Sequence, residues 1–364
     1  KAGANWEIVR GITARGGYSR AIRAPSLGDL FSPQAGTAGI IGLASTGSGD
    51  PCDVNGLARR GELTGVDPAQ VRQLCLQQGV SPALIDLFAY PGAAISALRV
   101  GNPDLTEETA DSYTIGAVFQ PSFTQSLFRS FAVSIDYYDI TVEDAIGYIT
   151  SPIALRECFN LTGQNPNYDP NNIFCQQINR DSNGFLSNVN ERLANLSTYQ
   201  TAGLDMQLDA SVGLGGTGFL SFNSAVTHVM DYKIQSVSTD PLLEYAGTIG
   251  NTQIDGFSST HPEWKAVTTA TIGDRNTSLS LRWRYIGSMT ASSNVGVDGA
   301  NEPGVPAISY FDLIGRVSVD DDFELRLGVT NLTEPDAPLY GGGIATSAYD
   351  IIGRRFFIGV SAGF

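Results

Sequence analysis

Over much of the chain apolar and polar residues alternate one by one, the period of a β-strand whose successive side chains point to opposite faces. The last stretch is the plainest case: Phe356, Ile358, Val360, Ala362 and Phe364 alternate with Phe357, Gly359, Ser361 and Gly363, one oily face against one that is mostly small or polar. The opening stretch, 6–20, sets Ile12, Ala14, Gly16 and Tyr18 against Thr13, Arg15, Gly17 and Ser19, and reads as one strand preceded by the tail of another and a tight turn. Further strands are predicted near 113–119, 131–137, 202–212, 219–232, 264–272, 279–285, 311–319 and 323–329. The clearest is the fourth of the chain, where Leu204, Met206 and Leu208 oppose Asp205, Gln207 and Asp209. Together they make about ten strands of an all-β chain.

The connections sort by length. Turns near 122–126, 213–218, 274–276 and 320–322 are short, and they alternate with long segments at 32–108, 149–198, 233–260, 294–309 and 335–352. Short on one side and long on the other is the arrangement of an antiparallel transmembrane β-barrel, with short periplasmic turns and long extracellular loops. The first long segment carries two helix signals, Asp67-Pro68 ahead of Val71, Leu74 and Cys75, and Ser81-Pro82 ahead of Leu84, Leu87 and Phe88. Each places an N-cap residue before a proline at the first helical position.

Composition narrows this picture. Only 16% of residues are charged, below the roughly 25% of soluble domains. No run of eighteen apolar residues exists, so a transmembrane helix is excluded and any membrane crossing must use a closed barrel. The net charge of −15 argues against a nucleic-acid partner, which requires clustered cations. The four cysteines fall as two close pairs, Cys52 with Cys75 and Cys158 with Cys175, each inside a polar, turn-rich segment. That suits loop-stapling disulfides in an oxidising compartment, each restricting the unfolded loop by about 3 kcal/mol; four free thiols are the alternative, and zinc is disfavoured by the lack of a CxxC spacing.

Several segments resemble the TonB-dependent outer-membrane receptors. The first is Gly17-Tyr18-Ser19-Arg20-Ala21-Ile22-Arg23-Ala24-Pro25-Ser26, where a strand rises to the surface and breaks at proline. Asn102-Pro103-Asp104-Leu105 with Glu108-Thr109 resembles the re-entry into the barrel. Val329-Thr330-Asn331-Leu332 resembles the penultimate strand, and Phe364 the terminal aromatic read during barrel assembly. The family has an N-terminal plug domain, a TonB box and a barrel of twenty-two strands. On this resemblance residues 1–364 are expected to be the C-terminal portion of such a barrel, with the plug and earlier strands outside the chain.

The resemblance implies an outer-membrane active transporter of a Gram-negative bacterium, energised by TonB, ExbB and ExbD through the plug. Its other implied partners are the barrel-assembly machinery, engaging the strand of Phe356, Ile358, Val360 and Phe364, with lipid and lipopolysaccharide around the wall. The nutrient, a siderophore, a corrinoid or a glycan, would bind the extracellular loops, and no cofactor is implied. A self-contained outer-membrane protease or lipase and a passive porin or adhesin are the competing readings.

Candidate chemistry is sparse. Gly359-Val360-Ser361-Ala362-Gly363 has the spacing of a nucleophile elbow but follows both histidines and reads as strand. Gly213 to Gly218 reads as a hairpin turn rather than a phosphate loop, since no helix follows it. His228 and His261 are too few for a metal site, and Asp139, Glu143, Asp144 and Asp320 to Asp322 read as solvated turn charges. Trp264, Trp283, Tyr285, Tyr113, Tyr137, Phe356 and Phe357 are candidates for an aromatic girdle. No catalytic residue is expected.

Overall fold

The computed structural model describes residues 1–364 except 123–127, 253–255, 297–299, 320–322, 341–342, 345–347 and 363–364. Eleven long strands form one antiparallel wall in chain order. They are β1 (Ala2–Val9), β2 (Ile12–Arg23), β3 (Glu108–Phe119), β4 (Phe128–Tyr148), β5 (Leu186–Gly215) and β6 (Gly218–Gln235), then β7 (Trp264–Gly273), β8 (Thr277–Ile286), β9 (Ile308–Ser318), β10 (Phe323–Thr330) and β11 (Arg355–Ala362). Every wall strand pairs with its sequence neighbour, and β1 and β11 end the path, unpaired with each other among the described residues.

The opening strand differs from expectation. Residues 6–20 are two strands joined at Arg10-Gly11, with Trp6 opposite Ala14. A two-residue turn pairs Val9 with Ile12 and shifts parity, but a bulge between Glu7 and Val9 restores it, so Trp6, Ile12 and Ala14 share a face and the alternation reads through the hairpin. Gly11 makes the turn with φ +85°, and a Cβ there would meet the Gln120 carbonyl oxygen at 2.8 Å.

Register carries one-sided patterning from strand to strand. One row runs Phe131, Ala210, Phe222, Ala270, Leu281, Leu313, Val329 and Phe356, apolar throughout. A row of the opposite face runs Arg15, Gly116, Asp136, Asp205, Thr227 and Lys265. Because strand side chains have period two, this registration leaves the sheet with an oily and a polar surface. Large apolar side chains on the oily surface stay exposed, Phe356 at 77% and Ile358 at 75%, which a water-facing sheet would not tolerate over so wide an area.

The long connections hold more structure than their sequence suggests. Strands Ala35–Ile40 and Ala94–Val100 pair within the first loop, and the second of them runs parallel to β5 with Ala97 beside Val189. Consequently β5 begins at Leu186, well inside the segment expected to be loop to 198. Helices form at Pro68–Gln77 and Ser151–Cys158. The second was not anticipated, although Pro152 sits in its first turn. The expected helix after Ser81-Pro82 is only a chain of turns, with Ile85 N–H bonded to the Ser81 carbonyl and Leu87 N–H to that of Leu84. Of the apolar residues there Leu84 and Leu87 are exposed, while Ile85 and Phe88 are buried in the loop core, so no helical stripe forms.

The helix Pro68–Gln77 starts as its sequence dictates. Asp67 accepts hydrogen bonds from the backbone N–H groups of Ala69 (2.9 Å) and Gln70 (3.4 Å), with Pro68 at the first position. Asp67→Ala should cost about 1 kcal/mol of local stability, seen as faster amide hydrogen exchange over this helix and not over the wall strands.

Candidate functional site

Two loops fold together beyond one rim of the wall. Cys52 is bonded to Cys75 and Cys158 to Cys175, with Cα atoms 5.7 Å and 4.7 Å apart. Around both disulfides lies one apolar core, including Val71, Leu74, Ile85, Ile149, Leu155, Phe159 and Val189. Three buried carboxylates bind the module internally. Asp50 takes both terminal nitrogens of Arg180 at 2.6 and 2.7 Å, and the two side chains are 0% and 1% exposed. Glu191, on β5, accepts the Ser151 N–H and hydroxyl at 3.0 Å each and pairs with Arg99. Glu157 pairs with Arg156, which also reaches Asp240 of a third loop at 2.7 Å. A cavity of about 160 Å³ lies inside the module between Ile41, Leu57, Ala58, Pro152 and Leu155.

The segments that resemble receptor signatures sit where wall meets loop. Arg23 bridges Asp29 and Glu108, and Glu108 also accepts the Ile146 N–H at 2.6 Å. Ser26 and Asp29 form a capping box on the short helix Leu27–Phe31, so the Ser26 backbone N–H, and then Arg23, holds the Asp29 carboxyl below the usual carboxylate range. Asn102 donates from its amide to the Leu193 carbonyl at 2.8 Å, anchoring the returning chain on β5. Asn331, left-handed at φ +55°, ends β10, and its N–H reaches the buried carboxylate of Asp312 at 2.9 Å. Asparagine tolerates that conformation. These motifs thus mark the folding of the rim, not a chemical centre.

The polar face carries its own ion pairs. Arg15 clasps Asp136 across two strands, Asp205 accepts from Thr227 at 2.7 Å, and Arg284 pairs with Asp312 at 3.1 Å. Glu324 lies between Arg316 and Arg326. Gly116 leaves the space Asp136 occupies, since a Cβ there would lie 2.0 Å from the carboxylate oxygen. Lys265 and Arg282 face the same side and have no carboxylate partner among the described residues.

On the oily face two aromatic belts appear. Tyr18 packs on Tyr113 at 5.0 Å and His228 stacks on Trp264 at 4.0 Å, with Tyr137 in the same row as His228 and Arg20, Asp111 and Asp139 next toward the loops. Phe119, Phe128 and Phe131 cluster at the other end. From Tyr137 to Phe128 is nine residues of β4; at ~3.4 Å each and a ~40° tilt this spans about 23 Å, close to the ~25 Å apolar band of a membrane barrel. Of the girdle candidates, Trp283, Tyr285 and Phe356 share this face, whereas Phe357 pairs with Gly328 on the other.

Among the described residues the two histidines and Ser361 lie in separate places. His228 is stacked on the oily face and His261 on Tyr232. Ser361 lies within β11, paired with Glu324, not on a strand-to-helix turn. Gly215 and Gly216 take positive φ in the hairpin between β5 and β6. Among the described residues no three His, Cys, Asp or Glu side chains are grouped to hold a metal. Phe356, Ile358 and Val360 project from β11 as one exposed apolar row, while Phe364 lies outside the described residues.

The family model described as TonB dependent receptor-like, beta-barrel matches residues 1–332. No curated protein matches the sequence. Among solved structures, the chain is similar to a ferric enterobactin receptor of Pseudomonas aeruginosa in complex with enterobactin, at TM-score 0.57 and 14% identity, covering 100% of this chain and 40% of that one. It is also similar to the siderophore receptor PirA of Acinetobacter baumannii, at TM-score 0.56 and 15% identity, covering 99% and 40%. The chain therefore spans about 40% of the length of these structures, and at such identities the likeness is one of fold.

Proposed function

The chain belongs to the TonB-dependent receptor β-barrel family, and on that footing we propose that it is the C-terminal wall and loop module of a receptor importing an iron chelate across the outer membrane of a Gram-negative bacterium. The observation that carries the reading is the two-faced wall: an oily surface between aromatic belts, a polar surface of ion pairs, and a disulfide-stapled loop module at one rim. A solute-bearing lumen needs the polar face, lipid needs the oily one, and capture from outside needs the ordered loops.

Iron chelates are favoured over corrinoids and glycans because the similar solved structures are described as siderophore receptors. TonB, ExbB and ExbD would act through a plug domain encoded ahead of residue 1. The barrel-assembly machinery would engage β11 through Phe356, Ile358 and Val360, and lipid and lipopolysaccharide would cover the outer face. The receptor performs transport and no covalent chemistry.

The test is uptake of radiolabelled ferric chelates by iron-starved cells with and without the gene. Uptake of at least one chelate should disappear with the gene and equally with TonB. Gene-dependent uptake that persists without TonB would establish a passive pore instead.

A further inference from the structure

The loops carry a one-sided charge. Segments 24–107, 149–185, 236–263, 287–307 and 331–354 hold twenty Asp and Glu residues, seven arginines and no lysine. All seven arginines are already paired. Arg59 and Arg72 share Asp86, Arg60 holds Glu62 and Arg354 holds Glu334. Arg99, Arg156 and Arg180 bind Glu191, Glu157 and Asp50, carboxylates at most 4% exposed.

The last three cannot be recruited by a ligand. Drawing Arg180 away would leave Asp50 buried and uncompensated, and the same holds for Glu157 and Glu191. The exposed Arg60–Glu62 and Arg354–Glu334 pairs are neutral as pairs, and Arg59 and Arg72 with their shared Asp86 keep one net positive charge, small against twenty loop carboxylates to seven arginines. What remains in the loops is a net negative field, exposed Asp336 included, which concentrates cations and repels anions at the mouth. It lies ahead of Lys265 and Arg282 on the polar face of the wall, which have no carboxylate partner among the described residues.

A ferric tris-catecholate sets three dianionic ligands around Fe³⁺ and carries three negative charges, so its recognition calls for unengaged guanidinium or ammonium groups. A ferric tris-hydroxamate, with three monoanionic ligands, is neutral, and becomes cationic when its scaffold bears an amine. We propose that the receptor takes a neutral or cationic iron chelate of the tris-hydroxamate class and discriminates against anionic ones by this loop charge. The proposal rests on the iron-chelate reading above.

The experiment uses the complete receptor in outer-membrane vesicles and four probes. Three are ferric linear tris-hydroxamates on one scaffold, ending in an ammonium, an acetamide or a succinamide with a free terminal carboxylate, so that charge falls from positive to neutral to negative. The fourth is a ferric tris-catecholate. Affinity should fall by at least about tenfold from the acetamide to the succinamide probe at low salt, with the gap narrowing at high salt. Asp336→Lys, at an exposed loop position with no ion pair, should narrow it too. Tightest binding of the succinamide or catecholate probe would overturn the charge selection while leaving the receptor an iron-chelate importer. Binding of none would overturn the iron-chelate reading and this inference with it.

Discussion

Arg180→Ala is expected to destabilise the loop module by about 3–5 kcal/mol, the cost of leaving a buried carboxylate without its partner. Asp50 is fully buried, and its pairing with Arg180 joins loops that lie 130 residues apart in sequence. Arg180 also donates to the Gly184 carbonyl at 2.9 Å, so its removal releases the local turn as well. Replacing Asp50 and Arg180 together by apolar residues of similar volume should recover most of the loss, because no charge then stays stranded. Limited proteolysis of the membrane-embedded protein reads this directly: loop cleavage should accelerate in the single variant and return toward the starting rate in the double. Equal cleavage in the single variant and the starting protein would show that the module does not depend on this pair.

Leu281→Arg is expected to cost about 2–4 kcal/mol of barrel stability, as for an arginine facing the lipid midplane. Leu281 lies in the apolar row between Ala270 and Leu313, below the Trp264 belt. The chain supplies its own contrast one residue later, where Arg282 faces the polar side and is accommodated. Asn223→Arg, on that polar side beside Asp209, should change stability by less than about 1 kcal/mol. Urea unfolding of protein refolded into phospholipid vesicles distinguishes the two, and equal effects would mean that the faces are wrongly assigned.

The wall was legible because its signal is local. Strand parity needs only neighbouring residues, so the Leu204 to Leu208 and Phe356 to Val360 alternations located β5 and β11 directly. The same parity hid the first hairpin, since the bulge between Glu7 and Val9 cancels the shift made by the two-residue turn at Arg10-Gly11. Loop structure was less legible. The strand Ala94–Val100 owes its form to pairing with β5 about ninety residues away, and the core around Ile85 and Phe159 is built from two separate loops. The cysteine spacing hinted at ordered loops, but the Asp50–Arg180 pair has no sequence signature. Both residues look like ordinary surface charges until the fold buries them.

A barrel wall with lipid on one face and a polar interior on the other must show both environments alternating along a single strand. All cysteines are in disulfides, so single cysteines placed at each position from 278 to 284 of β8 can be labelled one by one with a polarity-sensitive fluorophore in membrane-embedded protein. Quenching by brominated lipid should peak at 279, 281 and 283, and quenching by aqueous iodide at 278, 280, 282 and 284. Uniform iodide quenching with no lipid response, or lipid quenching without a two-residue period, would contradict it.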